Sequence, residues 1–477
     1  MTIKNSANID FLNSALVTDS SLMPTGQFMQ WILARRNAVH VNIEHIKFEE
    51  MVNWEFDEVS NNLVHSSGKF FSIEGLEVKT NWGKVNEWTQ PIINQPEIGF
   101  LGIIAKKFNG VLHFLMQSKI EPGNINYVQL SPTLQATKSN YTKVHKGKTP
   151  LYLEYFNGEK KCNKKIILDQ LQSEQGARFR KKRNRNIIIQ IEDDIEVHDD
   201  FCWLTLGQIK VLLQMDNLIN MDSRTVISGI PFGNYSKDVI ELYKTMTLLN
   251  EDVNQYHLGM LISSLENEDH LHKFEDIVSW ITEMKSLYEL DVRPISLNKL
   301  KDWVKDDRSI YHKEHKYFKV IPVRASIENR EVSSWTQPLV ESAQEGLIAF
   351  IIKKINGVYH FLVQAKLEAG NFDIVELAPT VQCLTGNYKV VNSPPFLDYI
   401  LSVDKSKIRY DTFQSEEGGR FYREQNRNLI IEVEDSFSEK IPSNYMWMTL
   451  NQLNTFVSYN NYLNIQTRSL IASIRFA

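Results

Sequence analysis

His113, Gln117, Lys119 and Glu121 are spaced two or four residues apart in the apolar stretch VLHFLMQSKIEPGN. Side chains of an extended strand alternate between its faces, so all four, with Leu115, share one face if the strand holds its period. Such a row combines an imidazole, an amide, an ammonium and a carboxylate, the groups that general acid–base chemistry uses. The same row recurs as His360, Leu362, Gln364, Lys366 and Glu368. A solvated sheet face would look similar. Retention of these residue types in two diverged segments favours the lining of a cleft.

The elements that must hold this row are readable. Ile98–Lys107 and Val111–Ile120 are apolar, β-rich runs flanking Asn109-Gly110, a strong hairpin signal that Asn356-Gly357 repeats. NIIIQIED (186–193) reads as a further strand. TLGQIKVLLQMDNLI (205–219) reads as an amphipathic helix with Thr205 at its N-cap. Each unit is therefore expected to be α+β, a mixed sheet with flanking helices.

The recurrence is general. Residues 88–141 match 335–388 without a gap, with 26 of 54 positions identical. QSEQGARFRKKRNRN, from Gln172, matches QSEEGGRFYREQNRN, from Gln414, and the blocks starting at Trp203 and Trp447 match as well. Trp54 and His65 correspond to Trp303 and His312. The chain is a tandem duplication; two units are too few for a solenoid. The expected organisation is a first repeat over 1–235, a helical linker over 236–270 and a second repeat over 271–477.

Other polar segments supply binding groups. Asn124 follows the strand, and Ser131, Thr133 and Gln135 lie in SPTLQ, where hydroxyls and amides suit a polyhydroxylated ligand or simply a turn. Tyr141, Lys143, His145, Lys146 and Lys148 form a basic run able to hold a diphosphate, or to be a solvated loop. Arg178 and Arg185 suit bidentate phosphate contacts, or ion pairs with Glu174, Glu192 or Asp193. The second repeat keeps Asn371, Thr380, Gln382 and Arg420 but loses most of the basic run.

The whole chain narrows the function further. With 477 residues, 42% hydrophobic and 23% charged, it has the profile of a soluble globular protein. A net charge of −5 gives no cationic excess for tracking nucleic acid. Three scattered cysteines make neither a disulfide framework nor a zinc set and fit a reducing cytoplasm. No segment approaches the roughly 20 consecutive apolar residues of a membrane helix, and no secretory h-region is present. Glycine-rich nucleotide loops, HExxH and GxSxG are absent.

The runs QSKIEPGN, QLSPTLQATKSNY, QSEQGARF and RNRN, together with the duplication, resemble the NDP-hexose 2,3-dehydratase family over about Trp31 to Arg475. That resemblance implies two tandem Nudix-like domains per subunit, usually in a homodimer, without the Nudix box of hydrolases, which this sequence lacks. It implies removal of the 2-hydroxyl of an NDP-4-keto-6-deoxyhexose, usually the dTDP sugar, with no redox cofactor and no metal. The base, the acid and the donor to the 4-oxygen are then sought among His113, Lys119, Glu121, Tyr152 and Glu174. Gln117, Asn124, Ser131, Thr133, Gln135, Tyr141, Lys143, His145, Arg178 and Arg185 are the expected substrate contacts. A second pocket is expected at His360, Gln364, Lys366, Glu368, Asn371, Thr380, Gln382 and Arg420. Because EAGN and APT there replace EPGN and SPT, it is expected to be vestigial or accessory. A non-catalytic nucleotide-sugar binder is the competing expectation.

Overall fold

In the computed structural model the described residues are 3–137, 149–160, 162–233, 235, 238, 240–241, 245, 254–265, 268–328, 333–385 and 393–477. The basic run from Tyr141 to Lys148 lies outside them.

Each repeat builds a seven-stranded mixed sheet of the same order. In the first, Lys164–Ser173, Arg183–Ile191, Gly99–Phe108, Val111–Ile120 and Phe201–Thr205 lie side by side, with Val128–Ser131 and Leu134–Ala136 added to the central hairpin. Arg183–Ile191 runs parallel to Gly99–Phe108 and the other pairings are antiparallel. The second repeat copies this strand for strand, from Ile408–Ser415 to Tyr445–Thr449. The hairpin turns as the Asn-Gly pair dictates: Asn109 and Gly110 take φ values of 49° and 81°, the left-handed conformation a two-residue turn requires. Thr205 accepts from the amide of Gln208 and opens the helix Leu206–Leu212. Within the expected linker, Gln255–Leu265 is helical.

The smaller sheets show what the repeat pattern conceals. Val41–His45, from the first repeat, pairs with Phe318–Ile327 of the second. Leu290–Ile295, from the second, pairs with Ser72–Thr80 of the first. The repeats thus exchange a strand reciprocally. One apolar cluster runs through both, joining Phe114, Ile103 and Ile188 to Phe350, Phe361 and Ile430, while each repeat also has a cluster of its own. Each such side chain contributes about 1.5–3 kcal/mol of burial, so parting the repeats would expose much of the shared cluster. The helices Met221–Ser228 and Ile465–Ser473 pack on each other at the centre. Their buried arginines reach across: Arg224 donates to the Ser415 carbonyl, and Arg468 to that of Ser173.

One buried carboxyl at this seam is dispensable. Glu376 accepts from Ser173 Oγ at 2.8 Å, and its counterpart Gln129 accepts from Ser415 Oγ at the same distance, so an amide fits. Burial pushes Glu376 up to about 8. A carboxyl raised in the folded state contributes its full stability below its unfolded value of about 4.5 and loses it as pH rises through 8. Glu376→Gln is therefore expected to be more stable than wild type at pH 8.5, on the order of a few kcal/mol at about 1.4 kcal/mol per unit. Urea titrations should show the gap closing towards pH 4.5; a pH-independent gap would contradict this.

Candidate active site

A cavity of about 980 Å³ opens beside the central hairpin of the first repeat, at the upper end of the range for small-molecule sites. The expected stripe reaches it in part. Gln117, Lys119 and Glu121 line it, with Thr133 and Gln135. Gln135 pins the row: its amide donates to Glu121 Oε1 at 2.6 Å while its carbonyl accepts from Lys119 Nζ at 3.0 Å. Its side-chain oxygen is held in turn by Asn220 at 3.0 Å. Glu121 is 4% exposed, and its Oε2 is buried without a hydrogen-bond partner.

His113 is not part of this lining. Its Nδ1 donates to the Val111 carbonyl at 3.0 Å and its Nε2 accepts from Ser20 Oγ at 2.8 Å. Both nitrogens are thus engaged in the neutral form, and burial lowers its pKa. It stands six residues from Lys119, roughly 20 Å along an extended strand. His360 repeats the arrangement, with Val358 and the amide of Leu271 as partners.

Of the other expected groups, Glu174 lines the cavity beside Lys182 and accepts from Asn184 at 2.6 Å; its pKa is raised by burial. Ser131 and Thr133 spend their hydroxyls on the carbonyls of Pro132 and Leu115. Tyr152 lies outside the lining, with its hydroxyl on the Glu196 carbonyl at 2.7 Å. Arg185 also lies outside it and forms a two-pronged ion pair with Asp169. Tyr141, Lys143 and His145 fall among the residues not described.

Two expected contacts change places. Arg178 does not serve the first repeat's pocket but faces Glu368, Glu416 and Glu424, with its guanidinium 4.2 Å from the centre of the Phe318 ring. Arg420, expected in the second pocket, lines the first, 4.0 Å from the centre of the Phe71 ring. The cause is a backbone crossing. Gly123 donates to the Gly418 carbonyl at 2.7 Å and accepts from Arg423 at 2.6 Å; Gly370 does the same with Gly176 and Lys181. Each QSExG loop is thereby seated against the other repeat's strand end. Asn124 and Asn371 lie at this seam, against Gly418 and Gly176.

In the second repeat the row is rebuilt. Gln364 donates to the Pro379 carbonyl at 2.8 Å, Lys366 to that of Gln382 at 2.9 Å, and Gln382 to Glu368 Oε1 at 3.0 Å. Thr380 again donates to a strand carbonyl, that of Leu362.

The pocket also holds groups that the stripe did not include, one of them brought by the crossing. Asp222, from the helix Met221–Ser228, and Glu417, from the second repeat, join Glu121, each presenting an oxygen within 4.8 Å of the others. Asp222 Oδ1 is buried without a hydrogen-bond partner. Asp222 rises well above the usual carboxylate range through burial and the charges of Glu174, Glu417 and Glu121. Glu417 is pushed up to about 7, chiefly by burial and against the pull of Arg420. Crowded carboxylates share protons because they cannot all ionise, and Lys119 already supplies positive charge there. The positions that correspond to Asp222 and Glu417 in the other repeat are Gln466 and Gln175. The only available signal was this acid-for-amide difference within matched blocks, which a search for identities passes over.

The family model described as NDP-hexose 2,3-dehydratase matches residues 25–230 and 274–474. The chain belongs to this family. It is 45% identical over 467 residues, 97% of this chain and 94% of the relative, to a dTDP-4-dehydro-6-deoxy-alpha-D-glucopyranose 2,3-dehydratase of Saccharopolyspora spinosa. It is 43% identical to one of Amycolatopsis orientalis and 39% to one of Streptomyces violaceoruber, over 97% and 94% of this chain. An NDP-hexose 2,3-dehydratase is a hydro-lyase, so its pocket must supply a base and an acid rather than an electron carrier. The carboxyls around Lys119 are groups of that kind. No helix among the described residues is long and apolar enough to cross a membrane.

Proposed function

We propose that the first pocket removes the 2-hydroxyl of an NDP-4-keto-6-deoxyhexose, dTDP-4-keto-6-deoxy-D-glucose, giving the 3,4-diketo-2,6-dideoxy sugar. The observation that carries this is Glu121, held by Gln135 beside Lys119, with one carboxylate oxygen unpartnered and buried at a cavity large enough for a nucleotide sugar. The proton on carbon 3 is acidic because the enolate spreads its charge onto the 4-oxygen. Glu121 takes that proton. The Lys119 ammonium, with Gln117 beside it, stabilises the charge on oxygen, as a preorganised donor does. Collapse of the enolate expels the 2-hydroxyl from carbon 2, and the resulting enol becomes the 3-ketone by losing its hydroxyl proton and gaining one at carbon 2.

The nucleotide is read into the part of the cavity lined by Trp54, Phe70, Trp335, Arg324 and Arg420, with Arg324 also paired to Glu44. Gln466 and Gln175, where the first pocket has Asp222 and Glu417, support an accessory role for the second pocket. Two Nudix-like domains and a homodimer belong to the same reading and rest on the family resemblance; the segments 1–235, 236–270 and 271–477 rest on the internal duplication, and a cytoplasmic location on the scattered cysteines.

Purified protein incubated with the dTDP sugar, without added cofactor, should yield a product lighter by one water, trapped by reduction before mass spectrometry. Unchanged sugar would leave the non-catalytic binder, and release of nucleoside monophosphate would indicate hydrolysis. Turnover should also survive dialysis against EDTA, since Arg420 and Lys119 already bring positive charge to the carboxyl cluster. Loss of turnover restored by a divalent cation would recast Glu121, Asp222 and Glu417 as its ligands.

A further inference from the structure

The pocket of the first repeat needs a proton donor for the departing hydroxide as well as a base. We infer that Glu417, reaching across from the second repeat, is that donor, and that Gly419 keeps the space its carboxyl occupies. The inference rests on the dehydratase reading above and adds to it a catalytic residue supplied by the other half of the chain.

Geometry carries the argument. Glu417 is open to the cavity and lies in the same cluster as Glu121 and Asp222. A Cβ at Gly419 would fall 2.4 Å from Glu417 Oε1 and 3.9 Å from Glu121 Oε1, between the two acids. Gly419 has no positive φ that would otherwise require glycine, so its use here is to leave room. In the matched loop of the first repeat both positions differ together: Gln175 and Ala177 stand in place of Glu417 and Gly419. There the Gln175 amide turns aside and donates to Glu416. The acid and the glycine that accommodates it therefore occur as a pair, in one pocket only.

The division of labour follows from the partners. Glu121 accepts a short hydrogen bond from Gln135 on Oε1, which holds its unpartnered Oε2 in place as the acceptor of a proton. Glu417 is pushed up to about 7 chiefly by burial, against the pull of Arg420 and Lys119 and with the charges of Glu121 and Glu174 adding to the rise. It therefore holds a proton through the lower part of the neutral range. As the carbon 2–oxygen bond breaks, the electron pair leaves with oxygen, the Glu417 proton joins it, and water departs. Glu417 is left ionised and Glu121 protonated. A proton hop within the cluster restores both.

The test follows substrate in D2O with wild type, Glu417→Gln and Gly419→Ala. Both variants should retain nucleotide-sugar binding and deuterium exchange at carbon 3, because the base remains, while loss of water falls by about 10²–10⁴-fold in Glu417→Gln. Gly419→Ala, which displaces the carboxyl without a backbone clash, should fall in the same direction. Wild-type kcat/KM should decline as pH rises through about 7, and Glu417→Gln should lack that limb. Dehydration near the wild-type rate in Glu417→Gln, with the limb intact, would overturn the inference alone. So would joint loss of exchange and dehydration with binding preserved, because Glu417 would then act before the elimination. If Glu417→Gln fails to fold, Gly419→Ala decides by the same criteria. A wild type that never releases water would overturn the dehydratase reading and this inference with it.

Discussion

Glu121→Gln is expected to lower dehydration by about 10²–10⁴-fold, the usual contribution of a general base, while Glu368→Gln leaves turnover near wild type. Both carboxylates end equivalent strands and accept from an equivalent glutamine, Gln135 or Gln382. Removing either should therefore perturb the fold to a similar, small degree. The chemistry around them differs. Glu121 has Asp222 and Glu417 for neighbours, whereas the positions matched to those residues are Gln466 and Gln175. Amides neither take nor give a proton at neutral pH, so the second pocket can hold hydroxyls but has fewer groups with which to exchange protons. Nucleotide-sugar binding by Glu121→Gln should stay within a few-fold of wild type, because its amide can still hydrogen-bond to a sugar hydroxyl. Loss of turnover in Glu368→Gln alone would reverse the assignment of the pockets.

The second large effect concerns the seam. A Cβ at Gly123 would lie 1.7 Å from the Phe421 carbonyl oxygen, and one at Gly370 1.7 Å from that of Phe179. Both obstacles are backbone atoms, already fixed by the crossing hydrogen bonds, so neither can give way locally. Gly123→Ala should cost at least about 3 kcal/mol, as overpacking at a rigid site does, and should lower activity too, because Glu121 sits two residues away. Gly110→Ala is the control. Its φ of 81° strains an alanine, but no atom lies within 4 Å, so its cost should stay near 1 kcal/mol. Chemical denaturation of both variants separates the two causes. Equal stability would mean that the crossing is not rigid.

The hairpin, the Thr205 cap and the duplicate sheets were legible because each is written in local sequence. An Asn-Gly pair between apolar runs, a threonine before an amphipathic stretch and two long matched blocks all point one way. The stripe was legible only as a face. Periodicity places Gln117, Lys119 and Glu121 together but says nothing about where along the strand a cavity begins, so it adds His113, which the cavity does not reach. Arg178 and Arg420 exchange pockets for a different reason. Matching blocks assigns each loop to its own repeat, and only the backbone pairing at Gly123 and Gly370 shows that the loops cross. Glu417 is hidden by the same crossing, since nearly 300 residues separate it from Glu121, while Asp222 stands on a first-repeat helix that the strand period does not reach.

The central claim is that one composite pocket, built by the first repeat and completed by the second, holds the reacting sugar. A crystal structure with dTDP-6-deoxyglucose, which has no 4-keto group and cannot lose its carbon 3 proton, tests this directly. The expected result places carbons 2 and 3 of the hexose between Glu121 and Glu417, with Lys119 facing oxygen 4. A hexose found only against Glu368, with the Glu121 cavity unoccupied, would contradict the account.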